Sequence, residues 1–146
     1  MRKMHRRRGF TLMELLIVIG IIAILAAIVI IAINPARQLA QARNSQRWSN
    51  VNTLLNAIHQ QAIDNNGIVS ASITAVCPTT QSIDNGAGGS GANLSALAPN
   101  YLAELVSDPT GATGVNTGYA VCKTAQNRVT VSAPSQELSA SINATR

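Results

Sequence analysis

Aromatic residues and cysteines are scarce in this chain: one Phe, one Trp, two Tyr and two Cys among 146 residues. Histidine is scarcer than catalysis usually needs, with only His5 and His59, and the six Asp and Glu are scattered. No His–Cys or carboxylate cluster stands at metal-ligand spacing, no phosphate-binding glycine loop opens a helix, and no nucleophile has a base beside it. Enzymatic activity and a cofactor are therefore not expected. Basic residues interleaved with aromatics, which a nucleic-acid track needs, are also missing. The net charge of +5 does not contradict this. Five of the eleven Lys and Arg fall within residues 1–9, and the six that follow are cancelled by six acids.

What the chain has in abundance is one apolar run. Leu15–Ile33 contains nineteen residues without a charged or polar side chain, interrupted only by Gly20. As a helix it reaches roughly 28 Å, close to the hydrocarbon thickness of a bilayer. Many of these residues are β-branched, but in lipid a lone segment satisfies its backbone hydrogen bonds only as a helix. In front stands MRKMHRRRG, with Arg2, Lys3, Arg6, Arg7 and Arg8. Such a cluster keeps the N-terminus cytoplasmic and directs the rest of the chain outward. A cleaved secretory signal fits poorly, because no A-x-A pattern precedes the polar turn at Asn34. A single-pass anchor fits the run. Glu14, at its edge, is the anomaly: a carboxylate there is costly and calls for a functional partner.

The basic stretch ends in Gly9, directly before Phe10-Thr11-Leu12-Met13-Glu14. This combination resembles the leader and N-terminal segment of bacterial type IV prepilins and the related pseudopilins. The resemblance implies cleavage by a prepilin peptidase between Gly9 and Phe10, and N-methylation of the new terminus, Phe10. His5 would leave with the leader. Glu14 becomes the fifth residue of the mature chain, where the family keeps its glutamate, and would pair with the Phe10 amine of a neighbouring subunit. The implied partners are identical subunits in a helical filament, the prepilin peptidase and the inner-membrane pilus assembly machinery. Gly20, Ala23 and Ala27 form a small-residue stripe at helical spacing, either a site of close helix approach or the ordinary composition of membrane helices.

Asn34-Pro35 is the first boundary, where a helix kinks or stops and restarts. Asn34 suits a cap and Pro35 suits the first helical position. Ala36–Asn66 reads as a second helical stretch, with an apolar stripe of Trp48, Val51, Leu55, Ile58 and Ala62 beside Leu54. Asn65-Asn66-Gly67 is its stop signal. The expected arrangement is one long helix kinked at Pro35, with a head packed on its second half. Arg37, Arg43 and Arg47 read as a solvated face or as salt bridges to neighbouring subunits, and His59 as polar surface or helix flank.

Beyond Gly67 the pattern becomes β-like. Ile68–Cys77 alternates as an edge strand would, and Pro78–Asn93 reads as a glycine-rich loop. Some helical character surrounds Ala96–Leu97, and Asp108-Pro109-Thr110-Gly111 has the residues of a turn. Strands are expected at Gly118–Lys123, Arg128–Ala133 and, with a weaker pattern, Glu137–Ile142. Cys77 and Cys122 both fall on the exported side, where a disulfide between them is permitted; two buried free thiols are the alternative.

The expected fold class is α+β: a long kinked N-terminal helix, its first half transmembrane, carrying a small antiparallel sheet of three or four strands. The expected segments are a basic leader (1–9), a transmembrane and assembly helix (10–33), its amphipathic second half (34–67) and an exported β-rich head (68–146). The resemblance implies a pilin that waits in the inner membrane, N-terminus cytoplasmic, and then enters an extracellular fibre serving adhesion, twitching or uptake. Tyr101-Leu102, Asp108-Pro109-Thr110-Gly111 and Tyr119 also look like the major pseudopilins of type II secretion, which often hold calcium near a C-terminal loop. Here Asp108 is followed by only one more acid, Glu137, so no metal is expected. A pseudopilin and a non-polymerising membrane-anchored protein remain the alternative functions.

Overall fold

The structure is a computed structural model describing residues 9–86 and 88–146. The basic residues 2–8 and His5 lie outside the described residues. The chain divides into two compact units, Met1–Gln38 and Leu39–Arg146.

In the first unit, helix α1 covers Leu12–Ile33, long and apolar enough to cross a membrane. None of its residues is buried. It ends at Asn34, whose left-handed backbone (φ 49°, ψ 79°) cannot continue a right-handed helix. Helix α2, Pro35–Asp64, starts at the next residue. The Asn34 side chain accepts from the Arg37 N–H at 3.3 Å, and its carbonyl accepts from the same group at 3.1 Å. One asparagine therefore closes the first helix and caps the second. The expected continuous, kinked helix is replaced by a stop and a restart.

In the second unit, α2 lays a stripe of Ala40, Asn44, Arg47, Val51, Leu54, Leu55, Ile58 and Ala62 into the interior. Val51, Leu54, Leu55, Ile58 and Ala62 are buried as expected, but Trp48, at the N-terminal end of the expected stripe, stays 42% exposed, while Arg47 is fully buried. The helix ends in a Schellman motif. Asn66 adopts φ 57°, its N–H donates to the Ile63 carbonyl, and the Gly67 N–H donates to the Ala62 carbonyl at 2.7 Å.

The sheet has five strands: β1 (Gln81–Asp84), β2 (Ala92–Asn93), β3 (Asn116–Lys123), β4 (Val129–Ser132) and β5 (Asn143–Thr145). Their spatial order is β2-β1-β3-β4-β5. All pairs are antiparallel except β1–β2, so the sheet is mixed and larger than the antiparallel one expected. The parallel pair forms because a glycine-rich return brings the chain back beside β1. At Gly91 an added Cβ would overlap Ser82 of the neighbouring strand, so only glycine permits that approach. Ile83, Tyr119, Val121, Val129 and Val131 of the sheet meet Val51, Leu54, Leu55 and Ile58 of α2 in a single core.

Strands β3 and β4 fall where expected. Ile68–Cys77 does not form a strand: its one bridge is Val76 to Lys123, and ahead of it a side chain takes the place of a partner strand. The Gln81 side-chain oxygen accepts from the backbone N–H groups of Thr74 (3.1 Å) and Ala75 (2.7 Å), and its amide donates to the Ser72 carbonyl (2.7 Å). Conversely, Pro78–Asn93 contains β1 and β2; a strand carrying one buried isoleucine has too little periodicity to be seen. Glu137–Ile142 turns instead of extending, since Leu138 and Ser139 both take positive φ (58° and 54°), and the last strand begins only at Asn143. A 3₁₀ turn occupies Ser95–Leu97, within the stretch read as helical.

Cys77 and Cys122 are joined by a disulfide, with Cα atoms 5.2 Å apart and 45 residues of separation. The bond fixes the chain before β1 to the end of β3, beside the Cys77 N–H to Lys123 carbonyl bond of 3.2 Å. In the chain-entropy account a loop of this length contributes about 4 kcal/mol. Replacing both cysteines by serine is expected to lower the urea midpoint of unfolding by a corresponding amount. An unchanged midpoint with an unchanged slope would rule that contribution out.

Candidate processing and assembly segment

Gly9, Phe10 and Thr11 precede the first helical residue of α1. Thr11 is extended (φ −81°, ψ 151°), and its hydroxyl accepts from the Glu14 N–H at 3.2 Å. Its carbonyl accepts from the Leu15 N–H, also at 3.2 Å. Thr11 and Glu14 therefore stand at the N-cap and third positions of a capping box, with its forward half formed. The cap has a chemical consequence. By starting the helix at Leu12, it leaves the Gly9–Phe10 peptide bond in non-helical backbone, with Phe10 79% exposed. A bond in that state offers its carbonyl to an approaching enzyme, whereas one inside the helix would hold it in the backbone ladder.

Glu14 is exposed in the first turn of α1, near the partial positive charge of the helix N-terminus. The helix contains no Lys, Arg or His, and among the described residues no cation forms an ion pair with Glu14. Among the described residues the carboxylate thus has no charged partner. Gly20 has open space around it, and Ala23 and Ala27 are likewise exposed.

The second unit holds a polar cluster that the sequence reading did not find. Arg47 is 0% exposed. Its Nε donates to Asp108 Oδ2 at 2.7 Å, and Nη2 donates to Asp108 Oδ1 at 3.2 Å and to the Thr110 hydroxyl at 2.6 Å. Nη1 donates to Asn44 Oδ1 at 2.9 Å and to Glu137 Oε2 at 3.0 Å. Arg43 adds a two-pronged contact to Glu137 at 2.7 and 2.6 Å. Asn44 pairs with the Glu137 backbone in both directions, donating to its carbonyl at 2.7 Å and accepting from its N–H at 3.0 Å. The expectation of a solvated or intersubunit role for Arg43 and Arg47 is overturned: both bind within the head. A spacing of 40, 44, 47, 51 matches a helix face, but the polar residues at 44 and 47 hid it.

The cluster also settles the chemistry of the acidic pair that a calcium reading would use. Asp108 and Glu137 both direct their oxygens at arginine. Burial pushes the Asp108 carboxyl up, but Arg47 and the backbone N–H groups of Thr110 and Gly111 together outweigh it and hold it below its ordinary value. Hydrogen bonds from Arg43 and then Arg47 bring Glu137 down to about 2. His59 is half-buried on the helix flank, its Nε2 without a partner.

Residues 4–33 match a family model, the prokaryotic N-terminal methylation motif. The N-terminal segment is of the prepilin type. The motif supports a pilin-like or pseudopilin-like protein and implies processing by a prepilin peptidase and handling by membrane assembly machinery. Pilin-type proteins are structural, not catalytic. The match ends at Ile33, the last residue of α1, and does not extend into the head. No curated protein and no solved structure matches the chain.

Two outcomes follow from the cluster. Arg47→Ala leaves a buried carboxylate unpaired and is expected to destabilise the head by about 3–5 kcal/mol, measured by denaturant unfolding. Both carboxylates have lower pKa values in the folded state than in the unfolded chain, so the unfolded chain takes up protons first as the pH falls. Their stabilisation is complete above about pH 4.5 and is lost as the pH drops toward about 2. Glu137→Gln should flatten that part of the stability–pH curve; an unaltered slope would remove Glu137 from it.

Proposed function

We propose that the chain is the structural subunit of a type IV pilus. Prepilin peptidase removes residues 1–9 and the new terminus, Phe10, is N-methylated. The subunit waits in the inner membrane through α1, N-terminus cytoplasmic, and then passes into an extracellular filament of identical subunits. The observation that carries this reading is the junction itself: an exposed, non-helical Gly9–Phe10 bond, a threonine cap, and an exposed carboxylate in the first turn of a helix that is otherwise without charge.

The physics of transfer favours the same sequence of events. Moving α1 from lipid into a bundle of like helices keeps its side chains in an apolar setting. Glu14 is then the costly group, since an unpaired carboxylate in a dry core costs several kcal/mol. The Phe10 amine of a neighbouring subunit is the cation that processing itself creates. Pairing them fixes axial register even where it adds little net stability.

The pseudopilin reading draws on Tyr101-Leu102 and the Asp108-Pro109-Thr110-Gly111 turn. Against its calcium-binding version stands Arg47, which already neutralises Asp108 at 2.7 Å. Surface fibres at native expression separate the pilus from the pseudopilin.

Intact-mass spectrometry of protein from its native membrane tests the processing. The expected mass lacks residues 1–9, carries one added methyl group and is two hydrogens short for the disulfide. A mass retaining MRKMHRRRG returns the chain to a plain membrane anchor. Glu14→Ala is expected to insert and fold normally but to abolish filaments, scored by electron microscopy of sheared cells. Abundant fibres from that variant would refute the pairing.

A further inference from the structure

The sequence contains two Asn-Gly pairs, Asn66-Gly67 and Asn85-Gly86. Asparagine before glycine is the pair most prone to cyclise, because no side chain shields the following backbone nitrogen. Both asparagines are exposed, so exposure does not separate them. The backbone does. The Gly67 N–H donates to the Ala62 carbonyl at 2.7 Å as part of the Schellman motif, and Asn66 is fixed in the left-handed region. Its nitrogen can attack only after the helix end has opened. Among the described residues the Gly86 N–H donates to no acceptor, and a Cβ at Gly86 would meet nothing within 4 Å. Asn85 is held from its N-terminal side, by its own N–H to the Val115 carbonyl at 2.8 Å.

We propose that Asn85 is a site of spontaneous deamidation in the folded protein and that Asn66, of the same sequence type, is protected from it. Solvent base removes the Gly86 N–H proton, and the nitrogen attacks Cγ of Asn85. A Cγ–N bond forms, the Cγ–Nδ2 bond breaks, and Nδ2 departs as ammonia after taking protons from solvent. Water then opens the succinimide at either carbonyl, giving aspartate or isoaspartate. The net reactants are the amide and one water; the net products are an acid and ammonia.

The new carboxylate enters a crowded acidic neighbourhood. Asp84, 2% exposed, accepts from the Gly91 N–H (2.7 Å) and the Ser82 hydroxyl (3.2 Å), and among the described residues no cation pairs with it. Asn85 also lines a cavity of about 400 Å³ together with Glu104, Asn50 and Gln46. Deamidation turns this wall from one carboxylate to two. The isoaspartyl product also lengthens the main chain by one carbon at the point where β1 leaves for its parallel return, so it loosens the β1–β2 pair. The proposal depends on the head alone and stands apart from the pilus reading.

The test incubates the full chain in detergent micelles at mildly alkaline pH and follows each site by fragment-ion mass spectrometry. The expected result is acid formation at Asn85 well ahead of Asn66, with the two rates converging in denaturant. Gly86→Ala, which has room for its methyl group, should slow Asn85 alone; Asn85→Gln should remove the early charge change altogether. Equal rates in the folded protein, Asn66 leading, or an inert Asn85 would each overturn the assignment.

Discussion

A guanidinium cannot be taken wholly out of water unless acceptors surround it, and the head is organised by that constraint. Arg47 sits on the buried stripe of α2, so the chain must deliver oxygens to it from elsewhere. The loop before β3 supplies Asp108 and Thr110, the segment after β4 supplies Glu137, and α2 itself supplies Asn44. Two loops distant in sequence are thereby fixed against one helical turn. An apolar residue of similar volume in place of Arg47, with the acids also replaced, could match the cluster in stability. It could not specify which loops meet there. The left-handed pair Leu138–Ser139 belongs to the same arrangement, since Glu137 is held by side chain and backbone at once and the chain must turn sharply to leave it.

The other unit obeys a different constraint. Helix α1 has no buried residue, and its apolar side chains present a surface far larger than water tolerates on a soluble protein. Its fold is local, set by the backbone ladder and the Thr11 cap, and its environment must come from outside the chain. One protein thus combines a segment that needs a non-aqueous neighbour with a head that carries its own core.

How much of this could be read from the sequence depended on whether the signal was local. The apolar helix, the break at Asn34-Pro35 and the helix stop at Asn65-Asn66-Gly67 are written in adjacent residues and were legible. So were β3 and β4, the second through its alternating Val129 and Val131. The break itself was read one degree too mildly, because an asparagine's ability to take a left-handed backbone decides between kinking and stopping. Arg47 escaped because burial of a cation is decided by partners some sixty and ninety residues away. Strand β1 escaped for a related reason: Gln-Ser-Ile-Asp becomes a strand only through β3. Gln81 then explains the missing strand at Ile68–Cys77, using its side chain where a neighbouring backbone was expected. In the N-terminal segment, the part played by Thr11 needed the cap geometry.

The Cys77–Cys122 bond also has a mechanical meaning. It closes a covalent ring that contains β1, β2, the Asp108 turn and most of β3. Tension applied through residues on either side of that ring bypasses the chain inside it. With an extended chain reaching at most about 3.6 Å per residue, the ring withholds roughly 150 Å of slack that an unbridged head would release on yielding. A head so built can lose its fold under load and still remain short.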